Sequence, residues 1–259
     1  MTYVEGFLAA VPTANKEEYR QRAESALPIF KDLGATRMVE CWGDDIADGK
    51  ITDFKRAVKA EADETVVFSR IEYPDKATRD AANEKMMSDP RMAEMGYMPF
   101  DGKRMIFSGF TTILDKGSRS DMGYVDGYVI PVANEKKDEY RRVAEAAAPI
   151  FMEHGASQVV ENWGDDVKRG KTTDFYGAVD AKKGENIVFS WITWPSKEAR
   201  VTGNEAVMAD ERFKSGAPEG QPGSMPMPFD GKRMIMGGFV PILGLYVSAD
   251  AGDELAIGG

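Results

Sequence analysis

The chain has 259 residues, of which 42% are hydrophobic and 29% charged, with a formal net charge of -10. This is the composition of a globular protein, and the acidic balance argues against nucleic acid and anionic membranes, which attract Lys and Arg surfaces. Cys41 is the only cysteine, which excludes an intrachain disulfide and a Cys-based metal site.

The N-terminus lacks the basic start and long apolar run of a signal peptide, and no apolar run approaches the roughly 20 residues that span a bilayer. The expected location is cytoplasmic. Tyr3–Val11 reads as a strand interrupted by Glu5-Gly6 and ended by Pro12. Asn15 is placed to cap a helix, with Glu18 completing a capping box. Tyr19, Ala23, Ala26, Leu27, Phe30 and Leu33 then form one apolar stripe. Pro28 falls inside that stripe and predicts a kink or break. Gly34 suits the helix C-terminus.

A second strand is expected over Ala35–Trp42, with Gly43-Asp44-Asp45 turning the chain off the sheet. Thr52-Asp53-Phe54 can start a short helical turn. Thr65–Tyr73 is a β-branched and aromatic strand stopped by Pro74. Asp75 caps a helix reaching about Met92, and an Asp101-Gly102 turn leads into a strand over Lys103–Leu114. The order is β-α-β-β-α-β, the ferredoxin-like pattern.

The chain then repeats itself. Tyr19–Arg91 and Tyr140–Arg212 align without a gap and match at about half of their positions. Val39-Glu40-Cys41-Trp42-Gly43-Asp44-Asp45 returns as Val160-Glu161-Asn162-Trp163-Gly164-Asp165-Asp166, and Pro28 returns as Pro149. Lys214–Met227 is an expansion of the second copy rich in Gly and Pro, expected as a surface loop. The expected domains are a first ferredoxin-like repeat over 1–117, a second over 124–244, and a tail over 245–259. Both parities of the strands are apolar, so both sheet faces need cover. The expected fold is therefore α+β: two ferredoxin-like βαββαβ repeats packed sheet to sheet as an intrachain pseudo-twofold dimeric α+β barrel.

Four words taken together carry a resemblance: Val-Glu-Cys-Trp-Gly-Asp-Asp, Thr52-Asp53-Phe54-Lys55-Arg56-Ala57-Val58, Thr65-Val66-Val67-Phe68-Ser69 and Pro99-Phe100-Asp101-Gly102-Lys103-Arg104-Met105. The chain resembles the YbaA-like bacterial domain-of-unknown-function family (DUF1428), once per half, and looks like a fused version of a single-copy domain. The resemblance implies a ferredoxin-like fold of the dimeric α+β barrel kind and carries no established activity. More distant relatives of that fold include cofactor-independent monooxygenases, haem-using chlorite dismutases and small-molecule isomerases, an analogy at fold level.

Strand parity puts Glu40 and Trp42 on one face, as it does Glu161 and Trp163. A carboxylate between apolar neighbours on a covered strand must be paired or protonated. Glu40 and Glu161 are thus candidate acid/base groups beside the aromatic walls of Trp42 and Trp163, against the blander reading of salt-bridged core carboxylates. Arg104 and Arg233 can hold an anionic substrate or partner those glutamates; an exposed strand-start charge is the plainer alternative. The twin aspartates invite a metal, but a turn whose side chains bond backbone amides is the favoured reading. His154 is the sole histidine, which excludes a His-ligated haem common to both halves, and no metal or cofactor is assigned. Two functions stand side by side. One is a cofactor-free enzyme for proton transfer or monooxygenation of a small molecule, in a pocket between sheet and helices. The other is a non-catalytic ligand-binding, stress-related or protein-interaction barrel. No nucleic-acid or membrane partner is expected, and assembly beyond the intrachain pseudo-dimer is left open.

Overall fold

A computed structural model describes residues 2–94, 96–214 and 227–246. The first half runs β1 (Tyr3–Pro12), α1 (Lys16–Asp32), β2 (Arg37–Asp45), α2 (Phe54–Ala57), β3 (Glu64–Tyr73), α3 (Lys76–Met86), α4 (Pro90–Glu94) and β4 (Ile106–Gly117). The second half repeats the order with β5 (Tyr124–Ala133), α5 (Lys137–Glu153), β6 (Gln158–Asp166), α6 (Phe175–Ala178), β7 (Glu185–Trp194), α7 (Lys197–Ala209), α8 (Glu211–Lys214) and β8 (Ile235–Tyr246). All eight strands pair antiparallel into one closed barrel, in the order β1-β3-β2-β8-β5-β7-β6-β4. The β2–β8 and β4–β6 ladders close it. Every strand edge is thereby paired, which removes the exposed edges that an open sheet would present.

Closure explains why the strands are apolar on both parities. One parity fills the barrel interior and the other lies under the helices. Val39, Cys41, Phe68 and Phe189 are among the interior residues, while Met38 packs with Ala23 and Leu27 of α1. Across the interior, the rings of Phe68 and Phe189 stack at 4.4 Å with 5° between planes. That approach is possible because Gly6 and Gly127 stand opposite them. A Cβ on Gly6 would lie 2.9 Å from Phe189, and one on Gly127 2.9 Å from Phe68. The glycines that interrupt β1 and β5 are therefore ring sockets.

The repeated Thr-Asp-Phe word builds the short helices α2 and α6. Asp53 accepts from the Arg56 amide at 2.8 Å and Asp174 from the Gly177 amide at 2.6 Å, each an N-cap. The following Phe54 and Phe175 are fully buried, and Phe54 meets Phe239 edge-on at 5.3 Å.

Several expectations are corrected. Asn15 does not cap α1 through its side chain, which instead donates to the Pro99 carbonyl at 3.1 Å. Pro28 and Pro149 do not end their helices, which continue to Asp32 and Glu153. Gly34 and Gly155 do follow the helix ends, with φ of +93° and +99°. The Asp101-Gly102 turn leads into a short 3-10 turn, Gly102–Arg104, so β4 begins at Ile106 rather than Lys103. Leu245 and Tyr246 belong to β8, paired with Met38 and Arg37, so the expected tail begins later than 245. Most of the expected Lys214–Met227 loop, and residues 247–259, lie outside the described residues.

Gly43-Asp44-Asp45 does not turn off the sheet. It is the end of β2, with a register irregularity between Gly43 and Asp45. Its side chains bond the other half rather than local amides. Asp44 accepts from Tyr124 Oη at 2.8 Å and pairs with Lys197 at 2.7 Å, and Asp45 pairs with Arg200 at 2.7 Å. The second copy answers in kind: Asp165 accepts from Tyr3 Oη at 3.2 Å, and Asp166 pairs with Arg79 at 3.0 Å. The twin aspartates are clamps between the halves.

Candidate functional site

Glu40 and Ser69 are directly opposite on β2 and β3, as are Glu161 and Ser190 on β6 and β7. Tyr19 of α1 and Tyr140 of α5 come down on these pairs from the helix layer. Tyr19 Oη donates to Glu40 Oε2 at 2.6 Å, and the Ser69 hydroxyl donates to the same oxygen. Tyr140 Oη donates to Glu161 Oε2 at 2.6 Å, and Ser190 stands directly opposite Glu161 on the neighbouring strand. Each half thus holds a Tyr–Glu–Ser cluster on the outer face of the barrel, under a helix.

Burial penalises the charged form and pushes both carboxyls up to about 7, against an ordinary 4.5. The Ser and Tyr donors act in the opposite sense, because they stabilise the carboxylate. Burial wins by enough to place both glutamates where protonated and ionised forms coexist near neutral pH. Burial and the adjoining carboxylate drive the Tyr19 and Tyr140 phenols well above their usual range. They are fixed donors rather than bases.

The two clusters differ in their surroundings. Glu40 is 5% exposed beneath Tyr19, which packs between Trp42 and Phe100. Glu161 is only partly buried, because it opens into a cavity of about 560 Å³ between the sheet and helices of the second half. That volume lies within the range of small-molecule sites. Tyr140, Phe151, Phe213 and Phe229 supply aromatic walls, and Ser190, Tyr128, Asn204 and Arg200 supply polar atoms. The mouth carries the exposed side chains of Val201, Met208, Met227 and Met236.

The other expected site residues lie elsewhere. Trp163 is buried in the apolar cluster with Leu114 and Tyr140 but does not line the cavity. The aromatic wall comes from helices and the segment before β8. Arg104 makes a two-pronged pair with Glu64 at 2.6 Å and donates to the Lys59 carbonyl at 2.7 Å. Arg233 repeats this with Glu185 at 2.6 and 2.7 Å and the Asp180 carbonyl at 3.1 Å. Lys59 and Asp180 have positive φ. Both arginines therefore brace a strained corner and touch neither Glu40 nor Glu161, which corrects the expectation that they partner the glutamates.

Sequence reasoning passed over Tyr19, Ser69, Tyr140 and Ser190 as the glutamates' partners. A signal was available. Val67-Phe68-Ser69 returns as Val188-Phe189-Ser190, so the same small hydroxyl follows the same apolar pair in both copies. Among the described residues no group of three or more His, Cys, Asp or Glu side chains gathers to hold a metal. His154 bonds Asp210 at 2.9 Å near the end of α5, and no described helix is long and apolar enough to cross a membrane.

Fold and site together define an eight-stranded antiparallel α+β barrel with helices on its outside and an apolar cavity beneath them. The chain belongs to the family described as "Protein of unknown function (DUF1428)", matched over residues 2–102 and again over 123–231, consistent with a tandem duplication. The uncharacterised protein YbaA of Escherichia coli K12 is 62% identical over 117 residues, which cover all of that protein and 45% of this chain. An identical level of likeness holds for YbaA of Shigella flexneri. Among solved structures, a protein of Fusobacterium nucleatum described as a "Putative monooxygenase" aligns with a TM-score of 0.59 at 11% identity, covering 99% of this chain and 98% of the other. A protein of Lactobacillus acidophilus with the same description aligns at 0.51 and 11% identity, covering 93% of each. At such identities the likeness is one of fold.

Proposed function

We propose that this protein binds a small organic molecule in the second-half cavity and catalyses cofactor-free proton transfer there, with Glu161 as the acid/base group. One observation carries the reading: a carboxyl poised near pH 7 at the polar end of an apolar cavity of ligand size. Tyr140 and Ser190 hold Glu161 in one orientation and stabilise it when ionised. The walls keep water from competing with the substrate. Deprotonation of an activated C–H or O–H is also the first step an oxygenation without cofactor needs, so the monooxygenase descriptions of the fold neighbours are compatible with this chemistry. Residues 1–117 and 124–244 are, in this reading, two ferredoxin-like repeats forming an intrachain pseudo-dimer of which only the second supplies a ligand site.

Glu40 sharpens the reading. It has the same partners and a similarly raised pKa, yet it is buried beneath Tyr19, Trp42 and Phe100. The Tyr–Glu–Ser cluster is thus a recurring element of the fold, and access distinguishes the second copy. The test is hydrogen–deuterium exchange of weak carbon acids in D₂O, followed by NMR. Exchange catalysed by the wild type is expected to fall by about 10²-fold or more in Glu161→Gln and to survive in Glu40→Gln. Undiminished exchange in Glu161→Gln would remove the acid/base role and leave a binding barrel.

A further inference from the structure

Arg200 is the single cation among the described residues that line the cavity, and its charge is already answered twice. Its Nε donates to Asp126 Oδ1 at 2.8 Å and its Nη1 to Asp45 Oδ2 at 2.7 Å. Asp126 is fully buried, and its other oxygen accepts from Trp194 Nε1 and Asn204 Nδ2, both at 3.0 Å. Asp45 comes from the other half of the chain, at the end of β2. We propose that Asp45, acting through Arg200, makes the second-half cavity selective for uncharged apolar ligands carrying one or two neutral oxygens, against carboxylates, phosphates and sulfonates.

The argument is one of charge in an apolar space. Two carboxylates face one guanidinium, and Glu161 adds negative charge in the fraction of molecules where it is ionised. An entering anion would meet a neutralised cation between walls of Phe151, Phe213 and Met234, where an unpaired charge is costly. A carbonyl or hydroxyl meets no such penalty. Tyr128 lines the cavity, and its hydroxyl can serve such an oxygen.

The first half provides an internal control. Arg79 is held by Glu5 at 3.4 Å and by Asp166 at 3.0 Å, the same arrangement with the halves exchanged. Asp166→Asn therefore alters the same kind of clamp without touching Arg200. Asp45 is a positioning and charge-setting residue here and not a catalytic one.

This inference rests on the cavity being a ligand site, and the experiment separates the two. N-phenyl-1-naphthylamine and its 8-sulfonate share one ring skeleton and differ by one negative charge, and both fluoresce in apolar sites. Titrated into the intact protein, the neutral probe is expected to bind at least about tenfold more tightly than the sulfonate. Asp45→Asn should narrow that ratio several-fold by improving sulfonate binding, while Asp166→Asn should leave it as in the wild type. Ala147→Trp, which fills the cavity, should abolish binding of the neutral probe. Absence of neutral-probe binding, or binding that survives Ala147→Trp, overturns both the ligand site and the selectivity. Equal affinity for the two probes, or equal effects of Asp45→Asn and Asp166→Asn, overturns the selectivity alone.

Discussion

At the scale of single residues, Glu40 and Glu161 set a pH dependence whose sign follows from their raised pKa values. In the unfolded chain these carboxyls titrate near 4.5, and in the folded one near 7. Between those values the folded state holds more protons. Their stabilising contribution is complete below about 4.5 and is lost as pH rises through about 7, by about 3 kcal/mol for each group. Denaturant midpoints measured from pH 5 to 8 should fall accordingly. Glu40→Gln, a neutral isostere, should flatten part of that slope and be more stable than wild type at pH 8; a steeper slope would exclude the raised pKa. Removing the donor in Tyr140→Phe should move the Glu161 carboxyl upward from about 7, because Tyr140 favours the ionised form. Infrared titration of the protonated-carboxyl stretch reads that shift. Arg233→Ala leaves Glu185 without its paired guanidinium and should cost about 3 kcal/mol while probe binding persists.

At the scale of elements, the joints between halves matter most. β2 and β6 end in register irregularities that aim adjacent aspartates at α7 and α3 of the opposite half. The clamps are unequal in burial. Arg79 is 4% exposed at its side chain and also holds the buried Glu5, whereas Asp45 is 51% exposed. Arg79→Ala should therefore destabilise by about 3 kcal/mol, whereas Asp45→Asn should cost under about 1 kcal/mol. Chemical denaturation of the two variants checks the order, and the reverse order would contradict the burial argument. The expectation of a local Gly-Asp-Asp turn failed for a related reason. Short polar residues with glycine signal a departure from regular pairing, and a bulged strand end satisfies that signal as well as a turn does. Nothing local says which.

For the whole molecule, closure of one barrel by two similar halves raises the question of why the halves choose each other. Arg70 and Trp191 occupy corresponding positions in the gapless alignment of the two copies, and in the barrel the Arg70 guanidinium lies 4.1 Å from the Trp191 ring centroid. Two first halves would bring Arg70 against Arg70, and two second halves Trp191 against Trp191. The observed contact is complementary, a charge over a π face in place of like against like. Fragments 1–121 and 122–259 expressed together should accordingly pair as heterodimers in preference to homodimers, which native mass spectrometry would reveal. A statistical mixture of the three pairings would show that the Arg70–Trp191 contact does not direct assembly.

The sequence by itself determined the similarity of the two halves, the order of strands and helices, and the face on which Glu40 and Glu161 lie. These follow from local periodicity and from comparing the chain with itself. Only the tertiary structure decided what those glutamates touch. Tyr19 and Tyr140 sit 21 positions before them, and Ser69 and Ser190 are 29 positions after, brought opposite by strand register that no local pattern specifies. It also decided that Arg104 and Arg233 pair with Glu64 and Glu185, that the twin aspartates join the halves, and that one of two similar clusters faces a cavity. That last difference lies in what surrounds each cluster: Trp42 and Phe100 pack on Tyr19 above Glu40, while the described residues around Glu161 line a cavity.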